Sequence, residues 1–446
     1  MVLHFKFKIF FLWLSLFQVL FMNGQDHFEF PKNKNKDKIS IQLINNLILM
    51  PVEVNGVRLT FLLDTGASST VIFSFEETDS IQLHNSSVIQ LRGLGNGEPV
   101  DAIKSEKNTI QIGNAKKANQ TIYVVFDGTL NFSSRLGVPI HGIIGGDFLR
   151  DFVVEVNNAS EILRFYLPES FLQKKCKTCI KKELVFIKDK PYIKAVVQDS
   201  SINMEVNLLI DSGSGDALWL FEDKINKIKA PVNAFEDYLG LGINGNIYGK
   251  RSKAEGFSIG DFHFSNVNAA YPDVTFSENL KLVENRQGSI GGEILKRFNW
   301  TLHYQNKYII LQKNRYYKEP FHYNMSGLTL QHGSFTVVQE RKQQSSDAYR
   351  LNQNKALSVF NLNLSSNIEI RLERIYVVVE VRKNSPAELA GIQVGDEILE
   401  VNNNPVYKYK LHELNEMFYA DEGKIIKMKI LRNGYEQRVK FTLKDV

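Results

Sequence analysis

FLLDTGASST, residues 61–70, decides the fold, because NLLIDSGSGD at residues 207–216 is a second copy of it. Each copy runs apolar residues into Asp, a small hydroxyl residue and Gly, at Asp64-Thr65-Gly66 and Asp211-Ser212-Gly213. A hydrophobic strand that ends in a carboxylate on a tight, hydrogen-bonded turn presents that carboxylate at the edge of a packed core. Two such turns can present two carboxylates to each other.

Working outward, the strand that delivers Asp64 is the second arm of a hairpin, since Asn55-Gly56 sits between two runs rich in Val, Leu and Ile. The strand delivering Asp211 has the same plan, with a polar turn near residues 199–203. Downstream of the motifs lie Gly93-Leu94-Gly95 and Gly240-Leu241-Gly242, each starting 29 positions after its Asp. Then come Ile144-Gly145-Gly146 and Ile290-Gly291-Gly292, 80 and 79 positions after the Asp, each followed by a turn of expected helix (DFLRDF, EILKRF) and a strand. Three landmarks in the same order at matched spacing mean two homologous, strand-rich lobes, 40–170 and 183–314. The linker ESFLQKKCKTCIKKE between them is charged and carries the only two cysteines, Cys176 and Cys179. Without further Cys or a nearby His at ligand spacing they lack the partners for zinc; a local disulfide and two idle thiols both stay open.

At 446 residues the chain is too long for one core. The formal charge of +5, of which Lys6 and Lys8 supply two, is weakly basic, and no Lys/Arg run is interleaved with aromatics, so a nucleic-acid partner is not expected. Residues 1–24 carry two lysines, an apolar run from Ile9 to Met22 and then Gly24, the pattern of a cleavable secretory signal, with an uncleaved anchor as the competing reading. Export to a periplasm, the cell surface or the medium is therefore expected, with no integral membrane segment left once the signal is removed. Residues 25–38, rich in Lys and Asn, are expected to be a mobile lead-in.

Carboxylates held a few ångströms apart in a low-dielectric cleft cannot both ionise cheaply, so one pKa rises and the pair shares a proton over an acidic to neutral range. The charged member can take a proton from water while the protonated member donates to a substrate carbonyl. Thr65 and Ser212 can donate across to the opposite loop, and Gly66 and Gly213 let backbone N–H groups approach the carboxylates. The Gly-rich stretches 93–95 and 240–242 suit hairpin tips that close over an extended peptide. An Asp-Thr-Gly on its own is an ordinary turn; the matched repetition is what points to chemistry.

These residues resemble the aspartic peptidases, in which Asp-Thr/Ser-Gly loops from two lobes form a catalytic dyad. The resemblance spans residues 40–314. Asp64-Thr65-Gly66-Ala67 with Ile143-Ile144-Gly145 is similar to the retropepsin form, and Asp211-Ser212-Gly213-Ser214 with Ser289-Ile290-Gly291 to the pepsin form. It implies a single-chain pseudo-dimer with a cleft between β-barrel lobes and Asp64 and Asp211 as the catalytic pair, with no cofactor and no metal. Departures are Leu91-Arg92 before Gly93, where pepsins carry a flap Tyr, the presence of Tyr238 before the second tip, and Ala67 in place of a hydroxyl residue.

From residue 327 the character changes. Asn384-Ser385-Pro386-Ala387-Glu388-Leu389-Ala390-Gly391 followed by Val394-Gly395-Asp396-Glu397-Ile398-Leu399 resembles the PDZ domains of bacterial exported proteases. Such a domain, here 327–446, is α+β and takes a peptide, often a C-terminus, as an added strand. Gly327-Leu328 is the expected carboxylate-gripping loop. The expected whole is a mainly β protein acting as an exported aspartic endopeptidase on polypeptide substrates, with a PDZ domain for peptide recruitment or regulation. The alternative is a non-catalytic peptide-binding protein on the same duplicated scaffold.

Overall fold

Asn55 and Gly56 both take positive φ, 50° and 87°, which gives the two-residue turn joining Leu47–Val54 to Val57–Leu63. Val57–Leu63 ends one residue before Asp64. It runs parallel to Gly142–Ile144, so it is covered by neighbours on both sides, as its continuous apolar run TFLL requires. The computed structural model describes residues 27–73, 80–91, 99–126, 132–199, 202–223, 228–273, 286–341 and 368–445. The expected signal, the first Gly-rich tip at Gly93-Leu94-Gly95, and residues 200 and 201 of the second hairpin's turn lie outside the described residues.

The fold is mainly β, with two β-rich lobes and a C-terminal β-sheet unit. Each lobe has an eight-stranded sheet, and the two sheets match strand for strand. In the first lobe the central order is Leu47–Val54, Val57–Leu63, Gly142–Ile144, Thr70–Ile72; in the second it is Lys190–Asp199, Ile202–Ile210, Gly288–Ile290, Leu218–Leu220. After each Gly-Gly pair stands the expected short helix, Gly146–Leu149 or Gly292–Leu295.

The lobes are also joined by a sheet that their sequences do not announce. Val153–Asn157 of the first lobe pairs antiparallel with Phe298–His303 of the second, at the centre of a six-stranded sheet to which both contribute. Val154, Val156, Trp300 and Leu302 are all buried there in one core that runs through both lobes. At about 1.5–3 kcal/mol per fully buried apolar side chain, separating the lobes is costly.

At the edges of this sheet one expectation needs correcting and one open alternative is resolved. The lead-in is not mobile from residue 27 onward: Lys36–Ser40 pairs with Ile162–Tyr166, and Phe28 is buried against Phe148 and Phe152 while Phe30 stacks on Phe165. Burial of those two aromatics outweighs the ordering cost of the polar residues around them. The linker, likewise, becomes a strand at Cys179–Glu183, paired with Tyr308–Lys313, and Cys176 and Cys179 form a disulfide.

The second unit is Asn324–Asp445. It contains strands Leu328–Arg341, Ile368–Val381, Glu397–Val401, Ile425–Arg432 and Tyr435–Thr442, the last two joined at Asn433-Gly434, with φ of 50° and 82°. Ser385 caps the helix Pro386–Leu389 by accepting from Glu388 N, and a longer helix spans Leu411–Phe418. Asp396, fully buried, is held by Arg432 through Nε and Nη2 at 2.6 Å each.

Candidate active site

The two Asp turns are tied to each other by four reciprocal hydrogen bonds. Thr65 Oγ1 donates to Ile210 O at 2.6 Å and Ser212 Oγ to Leu63 O at 2.7 Å. In return, Thr65 N donates to Ser212 Oγ and Ser212 N to Thr65 Oγ1, both at 3.0 Å. Thr65 and Ser212 are buried, so each bond is worth more than on a wet surface. From behind, Ile144 O accepts from Asp64 N and Ile290 O from Asp211 N, each at 2.9 Å. Gly145 and Gly291 are glycine because a Cβ would overlap Asp64 O and Asp216 O respectively. The Ile-Gly-Gly segments thus form the floor under the Asp turns.

The carboxylates meet over the two turn glycines. Gly66 N donates to Asp64 Oδ1 at 2.7 Å and Gly213 N to Asp211 Oδ1 at 3.2 Å. The two carboxyl groups lie close enough for each to shift the other's titration. Burial, and then the Asp211 charge alongside, push the Asp64 carboxyl up to about 7. Burial raises Asp211 as well, against Arg286 and Lys190, which favour its charged form. One proton shared between two inward-facing carboxyls is what such a site can hold at mildly acidic pH.

Gly240, Leu241 and Gly242 lie on one arm of a hairpin, Phe235–Gly242 with Gly245–Ile259, which turns at Ile243-Asn244. The hairpin reaches the other lobe. Ile243 packs on the first-lobe apolar cluster of Leu47, Leu49, Ile140 and Ile143, and Arg135 of that lobe lies 5.2 Å from the Tyr238 ring. Its base is held by Arg251, which binds Asp216 Oδ1 at 2.8 Å and Asp237 Oδ2 at 2.9 Å, while Trp219 Nε1 donates to Asp216 Oδ2 at 2.6 Å. Arg251→Met removes these charge-assisted bonds. It is expected to destabilise the first unit by about 1–3 kcal/mol, as measured by thermal melts.

Gly327 and Leu328 stand in the second unit. Gly327, at φ 78°, donates its N–H to Asn324 Oδ1 at 3.1 Å, and Leu328 donates to Ser326 Oγ at 3.0 Å. Leu328 begins the edge strand of the sheet, and Met325 N donates to Phe418 O of the longer helix.

Three residues that sequence reasoning passed over are the charged and phenolic neighbours of the dyad: Lys190, Tyr192 and Arg286. The signal was alternation. Tyr192 pairs with Leu209, and residues 190, 192, 209 and 211 share one face of that ladder. No group of three or more His, Cys, Asp and Glu among the described residues could hold a metal ion.

Residues 50–148, which include Asp64 and the Ile-Gly-Gly floor of the first lobe, match the family model for aspartyl proteases. Residues 377–432 match the model for PDZ domains. The chain therefore carries an aspartyl protease domain and a C-terminal PDZ domain. Among solved structures it is similar to an aspartic proteinase from Irpex lacteus, at 14% identity over 64% of this chain and 99% of that chain, with a TM-score of 0.42.

Proposed function

We propose that the chain is an exported aspartic endopeptidase whose water nucleophile is activated between Asp64 and Asp211, with the PDZ domain recruiting peptide. The observation that carries this reading is the reciprocal locking of the two Asp turns by Thr65 and Ser212, which sets the half-buried Asp64 carboxyl and the buried Asp211 carboxyl against each other with raised pKa values. A scaffold that merely bound peptides would have no use for a proton-sharing carboxyl pair. In the reaction, the ionised carboxyl takes a proton from water and the protonated one donates to the scissile carbonyl; the pair then returns the proton to the leaving nitrogen. The second-lobe hairpin is suited to pairing with the extended substrate and covering it. At the PDZ domain, the edge strand beginning at Leu328 offers an open ladder for a peptide strand.

The pH dependence follows from the shared proton. Activity needs one proton on the pair. It is expected to fall as pH rises through about 7, where Asp64 loses its proton, and to fall in acid on a limb lying above the ordinary Asp value of 3.8. Cleavage of an unfolded protein by the mature chain between pH 3 and 8 tests this. A bell with its alkaline limb near 7 supports the reading, whereas no cleavage at any pH would leave the lobes as a binding scaffold.

A further inference from the structure

The duplication that builds the cleft also shows where its two halves differ. Leu49 pairs with Leu62 in the first lobe, and Tyr192 pairs with Leu209, the residue 147 positions after Leu62, in the second. Tyr192 therefore stands where Leu49 stands, and Lys190, two residues earlier on the same face, stands where Leu47 stands. Leu62 runs beside Ile143 and Leu209 beside Ser289, so Arg286 takes the place of Ile140. On the first-lobe side, Leu47, Leu49 and Ile140 belong to one apolar cluster. On the second-lobe side the same three positions hold two cations and a phenol.

These groups are not consumed by partners. Among the described residues, neither Lys190 nor Arg286 makes an ion pair, although both feel the dyad electrostatically. Arg286 Nε donates only to Gly288 O at 3.3 Å, with the guanidinium 5.1 Å from the Phe221 ring. Tyr192 Oη is buried, has Arg286 beside it and makes no hydrogen bond of ordinary geometry. A dyad sharing one proton carries one negative charge and faces two positive ones. A half-buried cleft with a net positive charge is relieved by an anion that enters with the substrate.

Resting on the peptidase reading for its place in a reaction, we infer that Lys190, Tyr192 and Arg286 form a subsite for a substrate carboxylate next to the scissile bond, on the second-lobe side of the dyad. The carboxylate can come from an Asp or Glu side chain or from a chain end. Arg286 and Lys190 would bind its oxygens, with the buried Tyr192 hydroxyl beside Arg286 holding the guanidinium in place.

The test uses quenched-fluorescence peptides that place Glu, Gln, Lys or Leu at either position flanking the cut, and a second set that ends there in a free carboxylate or an amide. The mature chain is expected to favour Glu over Gln on one side of the cut by about ten- to a hundredfold in kcat/KM, the size of a hydrogen bond to a charged group. Arg286→Gln and Lys190→Gln should each shrink that ratio, and Arg286→Glu should turn it toward Lys, with thermal melts to show that the variants are folded. Preference in the second set instead would assign the pocket to a chain end and also support it. The same peptides bound to Asp64→Asn, followed by fluorescence anisotropy, report on the pocket without turnover. Glu-selective binding with no cleavage by the parent would keep the pocket and reject the peptidase. Cleavage and binding that ignore the carboxylate, or a preference that survives Arg286→Glu, would overturn the pocket and leave the peptidase standing.

Discussion

Asp64→Asn and Asp211→Asn are each expected to lower kcat/KM by about 10³- to 10⁴-fold or more, because either change removes the group that must alternately hold and release the shared proton. The amide keeps the shape of the carboxyl and can still accept from Gly66 N or Gly213 N, so the turns should survive. The stability effect has the opposite sign. A carboxyl whose folded pKa is raised binds its proton more tightly when folded, so its contribution is present at low pH and is lost as pH climbs through the folded value. For Asp64 that window runs from its ordinary 3.8 to about 7. Asp64→Asn, with no proton to lose, should therefore melt above the parent at pH 8, the gap closing by pH 4. An inactive variant with a pH-independent drop in Tm would mean that the substitution broke the turn, and the argument for a proton-sharing pair would lose its support.

Much of this site could be read from residue order, and the reason is physical. Asp-Thr-Gly, Gly-Leu-Gly and Ile-Gly-Gly are backbone requirements, so they show as fixed letters at fixed distances. Gly145, for example, can be only glycine where Asp64 O passes so close. The hairpin at Asn55-Gly56 and the helices after each Gly-Gly pair were legible for the same reason: turn chemistry and apolar period are local. The sheet that joins Val153–Asn157 to Phe298–His303 was not, because strand pairing across about 145 residues leaves no local mark. Phe28 and Phe30 were masked by the Lys and Asn around them, composition outvoting two aromatics that find a core. Lys190, Tyr192 and Arg286 escaped because side chains facing a cleft are free to differ between the two copies. Repetition reveals what the copies share, and those three positions are where they diverge.

The turn glycines themselves should prove unequal, and the difference is a sharp test of how closely the two carboxyls are packed. A Cβ built on Gly213 would lie 2.7 Å from Asp64 Oδ1 and closer still to its Cγ. One built on Gly66 would stand 3.0 Å from Asp211 Oδ1 and 3.1 Å from Asp64 Oδ1. Neither glycine has positive φ, so alanine meets no backbone penalty at either position and the effect is steric. At Gly66 the neighbours need to yield a few tenths of an ångström. At Gly213 the Asp64 carboxyl must retreat by about 1 Å, away from Asp211 and from the N–H of Gly66 that orients it, and a displacement of that size costs about 100-fold in rate. Gly213→Ala is thus expected to lose about 100-fold or more in kcat, and Gly66→Ala roughly tenfold or less. Because the clash pushes the carboxyls apart, the alkaline limb of the Gly213→Ala profile should also move to lower pH, as Asp64 is relieved of part of its neighbour's charge. Equal losses from the two alanines, or an unmoved alkaline limb, would mean that the carboxyls have room between them, and the raised pKa of Asp64 would then have to come from burial alone.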